Sequence, residues 1–192
     1  MASTHVRIVG ISGSLRRGSF NASLLRAAAE VAPNGTTIDA RTIHGIPLYD
    51  ADVENGPGIP EAVAKLKDEV AACDGLLLVT PEYNNSIPGV FKNAIDWMSR
   101  PDSDIARVFR GRPVAIMGAS PGRFGTTLSQ AAWLPVIRTL GMRPWFDERL
   151  LVFEARRVFD DSGKLVDAQT RERLVKFVEG FSAFVGANTA KG

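Results

Sequence analysis

The segments VRIVGI at residues 6–11 and NASLLRAAAEV at residues 21–31, joined by the loop SGSLRRGSF at 12–20, decide the fold class. The first segment is rich in β-branched residues, which favour a strand. The second is rich in alanine and leucine, which favour a helix. The chain therefore begins with a strand, a polar loop and a helix.

The same order continues outward from this unit. Further strands are predicted at 36–43, 75–80, 113–119 and 142–153, the last in one or two pieces. Helices are predicted at 59–72, 89–99, 126–140 and 168–185, with a kink at Pro135 and a polar, glycine-rich loop at 45–58. The runs at 75–80 and 113–119 are almost wholly apolar, which is typical of central parallel strands. The pattern predicts an α/β fold, a five-stranded doubly wound parallel sheet with helices on both faces, in one domain spanning 1–192 with its core at 5–185.

Composition excludes several classes of protein. The chain has 192 residues, of which 45% are hydrophobic and 23% charged, as in ordinary globular proteins. Lysine and arginine total 23 against 21 acidic residues, and they are dispersed, so no nucleic-acid partner is expected. A basic group at Arg107, Arg110 and Arg112 is interpreted as the solvated approach to a strand.

The single cysteine, Cys73, excludes an intramolecular disulfide and a cysteine-based zinc cluster, and it is expected to be an inert buried thiol. No metal site is expected. The N-terminal residues lack the apolar core of a signal peptide, and no segment is apolar for long enough to cross a bilayer. We therefore expect a cytoplasmic protein without a membrane partner.

In a doubly wound sheet the ligand lies beyond the carboxyl ends of the strands, where the strand order reverses. That rule selects three loops rich in Gly, Ser, Asn and Pro, at residues 12–21, 81–88 and 120–127. We expect all three to line one ligand site.

The loop at 12–21 leads into a helix N-terminus, whose unpaired N–H groups favour an anion. Its serines and Asn21 supply polar donors, and Arg16 supplies a permanent charge suited to a phosphate. The Walker lysine pattern and a G-x-G-x-x-G motif are both absent, which counts against ATP, GTP and a dinucleotide held in the Rossmann manner. The alternative is that Ser and Asn cap the helix while Arg16 is solvated.

The loop at 81–89 has prolines near both ends, which stiffen it against a flat heterocycle. Tyr83 offers an aromatic face and Asn84 an amide. The alternative is a rigid turn without hairpin pairing. In the loop at 120–127 the glycines allow the backbone to approach a ligand closely.

The chain resembles the NAD(P)H-dependent FMN reductases, in particular the quinone and chromate reductase branch, over residues 5–185. The matching motifs are GSLR at 13–16 with Gly18, Ser19 and Asn21, PLYD at 47–50, TPEYN at 80–84 with Ser86, Pro88 and Gly89, and KNAIDW at 92–97. The resemblance implies a flavodoxin-like sheet in the order 2-1-3-4-5. It also implies a homodimer or a dimer of dimers, with the helix at 89–97 at the subunit contact.

The resemblance further implies FMN held non-covalently, with its phosphate near Arg16 and its ring near Tyr83. The residues expected to bind the cofactor are Ser14, Arg16, Ser19, Phe20, Asn21, Pro81, Glu82, Tyr83, Asn84, Ser120 and Gly122. NAD(P)H is the expected co-substrate, and a quinone, free flavin, azo compound or chromate the expected acceptor, in a ping-pong reaction. Arg17 and Arg123 are candidates for contact with the 2′-phosphate of NADPH.

No catalytic side chain is expected, because the flavin carries the hydride. His5 lies in the N-terminal tail and His44 in a loop, and His44 is interpreted as structural or surface. Glu82 and Arg123 are further candidates for an ion pair across a subunit contact. Three alternatives stay open at this point: a flavodoxin-type one-electron carrier, a flavin-responsive regulatory protein, and a reductase that supplies reduced FMN to a monooxygenase.

Overall fold

A computed structural model describes residues 5–189, which fold around a central parallel sheet. Its strands are β1 Val6–Ser12, β2 Thr36–Thr42, β3 Gly75–Val79, β4 Pro113–Ala119, β5 Arg143–Pro144 and β6 Leu150–Val152. The order is β2-β1-β3-β4-β5, and β6 also pairs with β4 in parallel. This confirms the predicted doubly wound order 2-1-3-4-5.

Helices connect successive strands and cover both faces of the sheet. They are α1 Phe20–Glu30, α2 Ala51–Asn55, α3 Glu61–Ala71, α4 Gly89–Met98, α5 Ile105–Val108, α6 Thr127–Thr139, α7 Ala155–Val158 and α8 Ala168–Thr189. Pro135 lies inside α6, as the sequence indicates. The kink expected there stays a prediction.

Two buried apolar layers hold the helices on the sheet. Ile8 of β1 belongs to the layer that includes Leu24 of α1 and Phe177 of α8. The next residue, Val9, belongs to the opposite layer, with residues of α3, α4 and α6 such as Trp133. Because successive strand side chains point to opposite faces, one strand anchors both layers.

The strand predicted within 142–153 is split into two pieces, which is one of the two alternatives that the sequence left open, so the sheet of the described residues has six strands. The two pieces, β5 and β6, both pair with β4 and are separated by residues 145–149. Trp145 is buried and packs against Phe177, with ring centroids 5.1 Å apart. The charged residues of 147–149 follow and favour solvent over a sheet. The chain therefore leaves the sheet and returns to it beside the same strand.

The short helices α2, α5 and α7 were not predicted. The loop expected at 45–58 contains α2, and Asp50 caps it by accepting a hydrogen bond at 2.9 Å from the Asp52 N–H. Helices of four or five residues are too short to show a hydrophobic period in the sequence.

The interpretation of the basic group at 107–112 was wrong for Arg112, which is half-buried. Its guanidinium donates to the carbonyl oxygens of Val108 at 2.7 Å and of Ala71 at 3.2 Å, and it also contacts the carbonyl of Cys73. Arg112 therefore ties the end of α3 to the approach to β4. Burial raises the pKa of the Cys73 thiol, which fits the inert role expected for it.

An ion pair between Lys67 and Asp104 fixes the segment that follows α4. The Lys67 side chain is only 4% exposed, and its ammonium group lies 2.6 Å from the Asp104 carboxylate. The hydrogen bond from Lys67 lowers the pKa of Asp104 in the folded protein, with a smaller contribution from Arg107. A lowered folded pKa means that the stabilisation is present above the unfolded pKa and is lost as pH falls.

We expect Asp104→Asn to lower the free energy of unfolding by about 2 kcal/mol at pH 7, because it leaves the Lys67 ammonium without a charged partner. Urea unfolding at pH 7 and at about pH 3 measures this. The difference from wild type should shrink in acid, because below the ordinary carboxyl pKa the unfolded chain takes up a proton that folded Asp104, with its lowered pKa, resists. The control is Asp102→Asn, since that carboxylate is 77% exposed and surface pairs contribute about 0–1 kcal/mol. Equal losses at both pH values would contradict this role of the ion pair.

Candidate functional site

The three loops selected from the sequence meet at the carboxyl edge of the sheet, because β1, β3 and β4 are neighbours there. They enclose a cavity of about 440 Å³, a size usual for small-molecule sites. Of the expected residues, the cavity is lined by Ser14, Arg16, Ser19, Phe20, Asn21, Pro81, Glu82, Tyr83 and Ser120. Ala119, Pro121 and Arg156 complete the lining, whereas Asn84 and Gly122 lie outside it.

The first loop presents the start of α1 to the cavity. Ser19 caps the helix: its Oγ accepts from the Ala22 N–H at 3.3 Å, and its carbonyl accepts from the Ser23 N–H at 3.0 Å. The N–H groups of Phe20 and Asn21 have no partner within residues 5–189. Capping and anion binding therefore coexist here, because the cap uses one N–H group and leaves two for a ligand.

Arg16 holds an uncompensated positive charge at this loop. Its guanidinium carbon lies 5.3 Å from the centroid of the Phe20 ring, a cation–π contact that orients an exposed side chain. Its backbone N–H donates to Ser14 Oγ at 3.3 Å, which tightens the loop. No carboxylate of the described chain forms an ion pair with Arg16, so its charge is available to an anion.

Asn21 braces the site. Its side-chain amide donates to the Ala119 carbonyl at 2.8 Å, and its Oδ1 accepts from the Ala119 N–H at 2.9 Å. Asn21 is 3% exposed, so both bonds are buried. The side chain thus fixes the start of α1 against the end of β4, and the backbone N–H is the group of Asn21 that remains free.

The second loop contains a tight hairpin, so the alternative of a turn without hairpin pairing was wrong. The N–H and carbonyl groups of Tyr83 and Ser86 bond reciprocally at 3.2 and 3.1 Å. Asn84 and Asn85 between them have φ values of +50° and +61°, the left-handed conformation that asparagine tolerates best among residues with a side chain. Asn84 therefore lies at the exposed tip of the hairpin. Of the four hairpin residues 83–86, Tyr83, which is 47% exposed, is the one that lines the cavity.

Glu82 joins the second loop to α6. Its Oε2 accepts from the N–H groups of Leu128 at 2.8 Å and Ser129 at 3.0 Å, where the helix dipole favours a negative charge. Arg123, the partner expected for Glu82 across a subunit contact, lies 3.9 Å from Glu154 of its own chain. Within the chain, then, Glu82 serves as the cap of α6.

Thr80, at the start of the second loop, also contacts α6. Its role was not predicted from the sequence. Its Oγ1 lies 2.9 Å from Ser129 Oγ and accepts from the Trp133 ring N–H at 3.1 Å. All three side chains are fully buried. The signals of Thr80 in the sequence were its place in the TPEYN motif and its polar side chain at the end of an apolar strand.

The third loop is held against the chain after β6. The Ser120 N–H donates to the Val152 carbonyl, and the Ala155 N–H donates to the Ser120 carbonyl, each at 3.0 Å. The Gly122 carbonyl accepts from the Glu154 N–H at 3.0 Å. These bonds bring α7, and with it Arg156, to the cavity.

Other titratable groups lie away from the cavity. His44 Nε2 is 3.1 Å from the Leu15 carbonyl, and His5 Nε2 is 2.8 Å from Thr37 Oγ1. Within residues 5–189, no cluster of three or more His, Cys, Asp or Glu side chains is placed to hold a metal ion. No helix in that range has the length and apolarity needed to cross a membrane.

Comparison with known proteins agrees with this geometry. The family model for NADPH-dependent FMN reductases matches residues 6–153. This chain belongs to that family. An NAD(P)H-dependent FMN reductase of Pseudomonas aeruginosa is 40% identical over 183 residues, covering 95% of this chain and 97% of the relative. A 2-hydroxy-1,4-benzoquinone reductase of a Burkholderia species is 38% identical over 180 residues, covering 94% and 96%.

Among solved structures, the flavoenzyme NAD(P)H:(acceptor) oxidoreductase FerB from Paracoccus denitrificans superposes with a TM-score of 0.84 at 30% identity. The match covers 95% of this chain and 98% of FerB. Membership of the FMN reductase family confirms the predicted class of enzyme, an NAD(P)H-dependent oxidoreductase, and FMN as the cofactor of that class.

Proposed function

We propose that the chain binds FMN non-covalently in the 440 Å³ cavity and uses NAD(P)H to reduce a small acceptor, a quinone being the favoured class. The observation that carries the proposal is the pairing of the open start of α1 with the uncompensated guanidinium of Arg16. Together they form a site for a phosphate monoester. Several relatives bear the name quinone reductase, which supports the acceptor class.

The chemistry of the remaining lining suits the rest of FMN. Pro81, Tyr83 and Pro121 give apolar and aromatic surface for a flat ring. Glu82 is the acidic residue of the lining, and its carboxylate is directed to the N–H groups of α6. The site therefore combines an anion-binding end with a flat, largely uncharged wall.

When bound, FMN supplies the redox chemistry, taking a hydride from NAD(P)H and giving it to the acceptor. The chain's own residues bind and orient the reactants: Arg16 and the α1 N–H groups hold the phosphate, and Tyr83 supplies an aromatic surface in the lining. An open cavity admits the two substrates in turn, which supports a ping-pong order.

Anaerobic half-reactions test this function. NADPH or NADH mixed with the FMN-loaded protein should bleach the flavin absorbance rapidly, and a benzoquinone added next should restore it without further nucleotide. A flavodoxin-type carrier should react with the nucleotide scarcely at all. Release of reduced flavin into a filtrate would instead favour supply to a monooxygenase, and partner binding that persists in a variant with bound FMN but no reductase activity would favour a regulatory protein.

We also propose that the chain acts in the cytoplasm as a homodimer or dimer of dimers, with α4 at the subunit contact. Exposed apolar side chains outside α4 support contact with a partner, since Leu48, Phe124 and Phe146 are 80%, 81% and 66% exposed. Light scattering of the eluting protein measures the mass directly, and a monomer at micromolar concentration would contradict this proposal.

Arg16→Ala is expected to weaken FMN binding by about 10- to 100-fold, because a charge-assisted hydrogen bond to a phosphate contributes about 1.5–3 kcal/mol. Quenching of flavin fluorescence measures the dissociation constant. The control is Arg17→Ala, because Arg17 is exposed and does not line the cavity. Equal FMN affinity in the two variants would contradict the role of Arg16.

A further inference from the structure

A second arginine, Arg156, lies at the cavity that holds Arg16. It stands on α7, more than a hundred residues from the phosphate loop, and beyond the residues 6–153 that the family model matches. Neither the family pattern nor the sequence motifs therefore assign it a role. Its presence at the cavity is a property of this chain's fold.

The backbone of α7 is fixed from two sides, so Arg156 is not on a loose surface segment. Hydrogen bonds of 3.0 Å join Ala155 to Ser120 and Glu154 to Gly122. On the other side, the ring of Phe159 stacks on Phe20 with centroids 5.9 Å apart. Phe20 is also the ring over which the Arg16 guanidinium lies, so one aromatic side chain orders both arginine-bearing segments.

The turn into α7 is strained. Glu154 has φ +44° and ψ +44°, a left-handed conformation that is unfavourable for a residue with a side chain. This strain persists because the bonds to the third loop hold the segment, and the turn is what places Arg156 at the cavity.

Local carboxylates leave Arg156 unpaired. Glu154 is 3.1 Å from Arg157 and 3.9 Å from Arg123, whereas Arg156 has no ion-pair partner within residues 5–189. Glu82, on the cavity wall, is directed to the start of α6. Two exposed guanidinium groups thus face one cavity, with no carboxylate paired to either in the described chain.

We propose that Arg156 is a second phosphate-binding residue, which acts from α7 together with Arg16 to hold the phosphate monoester of FMN in the cavity. The inference rests on the proposed function. A phosphate monoester carries close to two negative charges at neutral pH, and two guanidinium groups match that charge better than one. The same chemistry suits the 2′-phosphate of NADPH, so the experiment must separate the two sources.

The test compares FMN with riboflavin, which lacks the phosphate, on wild type, Arg156→Ala and Arg156→Lys. Arg156→Ala should weaken FMN binding about tenfold, leave riboflavin binding unchanged and reduce the salt dependence of FMN binding. Arg156→Lys should recover part of the loss, because it keeps the charge without the planar fork. The matched control is Arg157→Ala, which removes a neighbouring arginine already paired with Glu154.

Two outcomes would overturn the assignment: unchanged FMN affinity in Arg156→Ala, or equal weakening of FMN and riboflavin. If unchanged FMN affinity came with a raised KM for NADPH but not for NADH, the 2′-phosphate would be placed at Arg156. If the wild-type protein bound neither flavin, the proposed function itself would fail, and this assignment with it. That outcome is distinguishable because it precedes any substitution.

Discussion

Gly118→Ala is expected to lower the free energy of unfolding by about 3 kcal/mol, a large effect for a single added methyl group. A Cβ at this position in β4 would lie 2.2 Å from the Thr80 carbonyl oxygen and 2.3 Å from Thr126 Oγ1. The Thr80 peptide cannot move freely, because its N–H donates to the Met117 carbonyl at 2.9 Å. At the carboxyl end of β4 the new Cβ would therefore clash with both a fixed backbone oxygen and a side-chain oxygen.

Thermal unfolding measures the effect of Gly118→Ala, with an expected fall in Tm of about 6–12 °C for a chain of this size. The control is Gly186→Ala in α8, where a new Cβ would lie 3.5 Å from Cγ2 of Val6 in β1, an ordinary van der Waals contact. That change should be neutral or stabilising by up to about 1 kcal/mol. If the Tm of Gly118→Ala equalled that of wild type, the backbone at the carboxyl ends of β3 and β4 would be able to shift to accommodate the added methyl group, which would contradict this prediction.

Asn21→Ala is expected to cost about 2–4 kcal/mol and to weaken FMN binding at the same time. It leaves the N–H and carbonyl groups of Ala119 buried without partners, each worth about 1–3 kcal/mol. It also removes the hydrogen bonds that hold the start of α1 against the end of β4. Because the N–H groups at the start of α1 are part of the proposed phosphate site, FMN binding should weaken when they are less well ordered.

Urea unfolding and an FMN titration of the same Asn21→Ala preparation separate the two effects. Ser23→Ala is the matched control, because Ser23 lies on the same helix and, among residues 5–189, its Oγ bonds only to the Arg26 side chain, at 3.0 Å. The control should lose less than about 1 kcal/mol and bind FMN as wild type does. Loss of stability without loss of FMN affinity would show that the brace does not order the phosphate site.

Much of this architecture could be predicted because local signals agreed with the fold. The apolar run of β3 is fully buried and central, as its sequence indicates. The helix that follows the first loop begins at Phe20, one residue earlier than predicted, because Ser19 is the cap. Nine of the eleven expected cofactor residues share one cavity, since the carboxyl ends of neighbouring parallel strands must meet.

The remaining features depend on contacts between distant segments. Arg156 reaches the cavity only because α7 bonds to the third loop, and nothing in residues 154–158 marks that contact. Glu82 lines the cavity as predicted, but the hydrogen bonds from the start of α6 to its carboxylate could not be read from the sequence. The Asn84-Asn85 hairpin was missed because two flanking prolines suggested a stiff turn, whereas positive φ at both asparagines allows reciprocal pairing.

Equilibrium titration of flavin-free wild-type protein with FMN, followed by the change in its absorption spectrum, tests the central claim most directly. We expect saturation at one FMN per chain, with a weaker complex as ionic strength rises because Arg16 and the start of α1 hold a phosphate. Protein that stays colourless at saturating FMN, or binds it with no dependence on salt, would contradict the proposed phosphate site and the enzyme built on it.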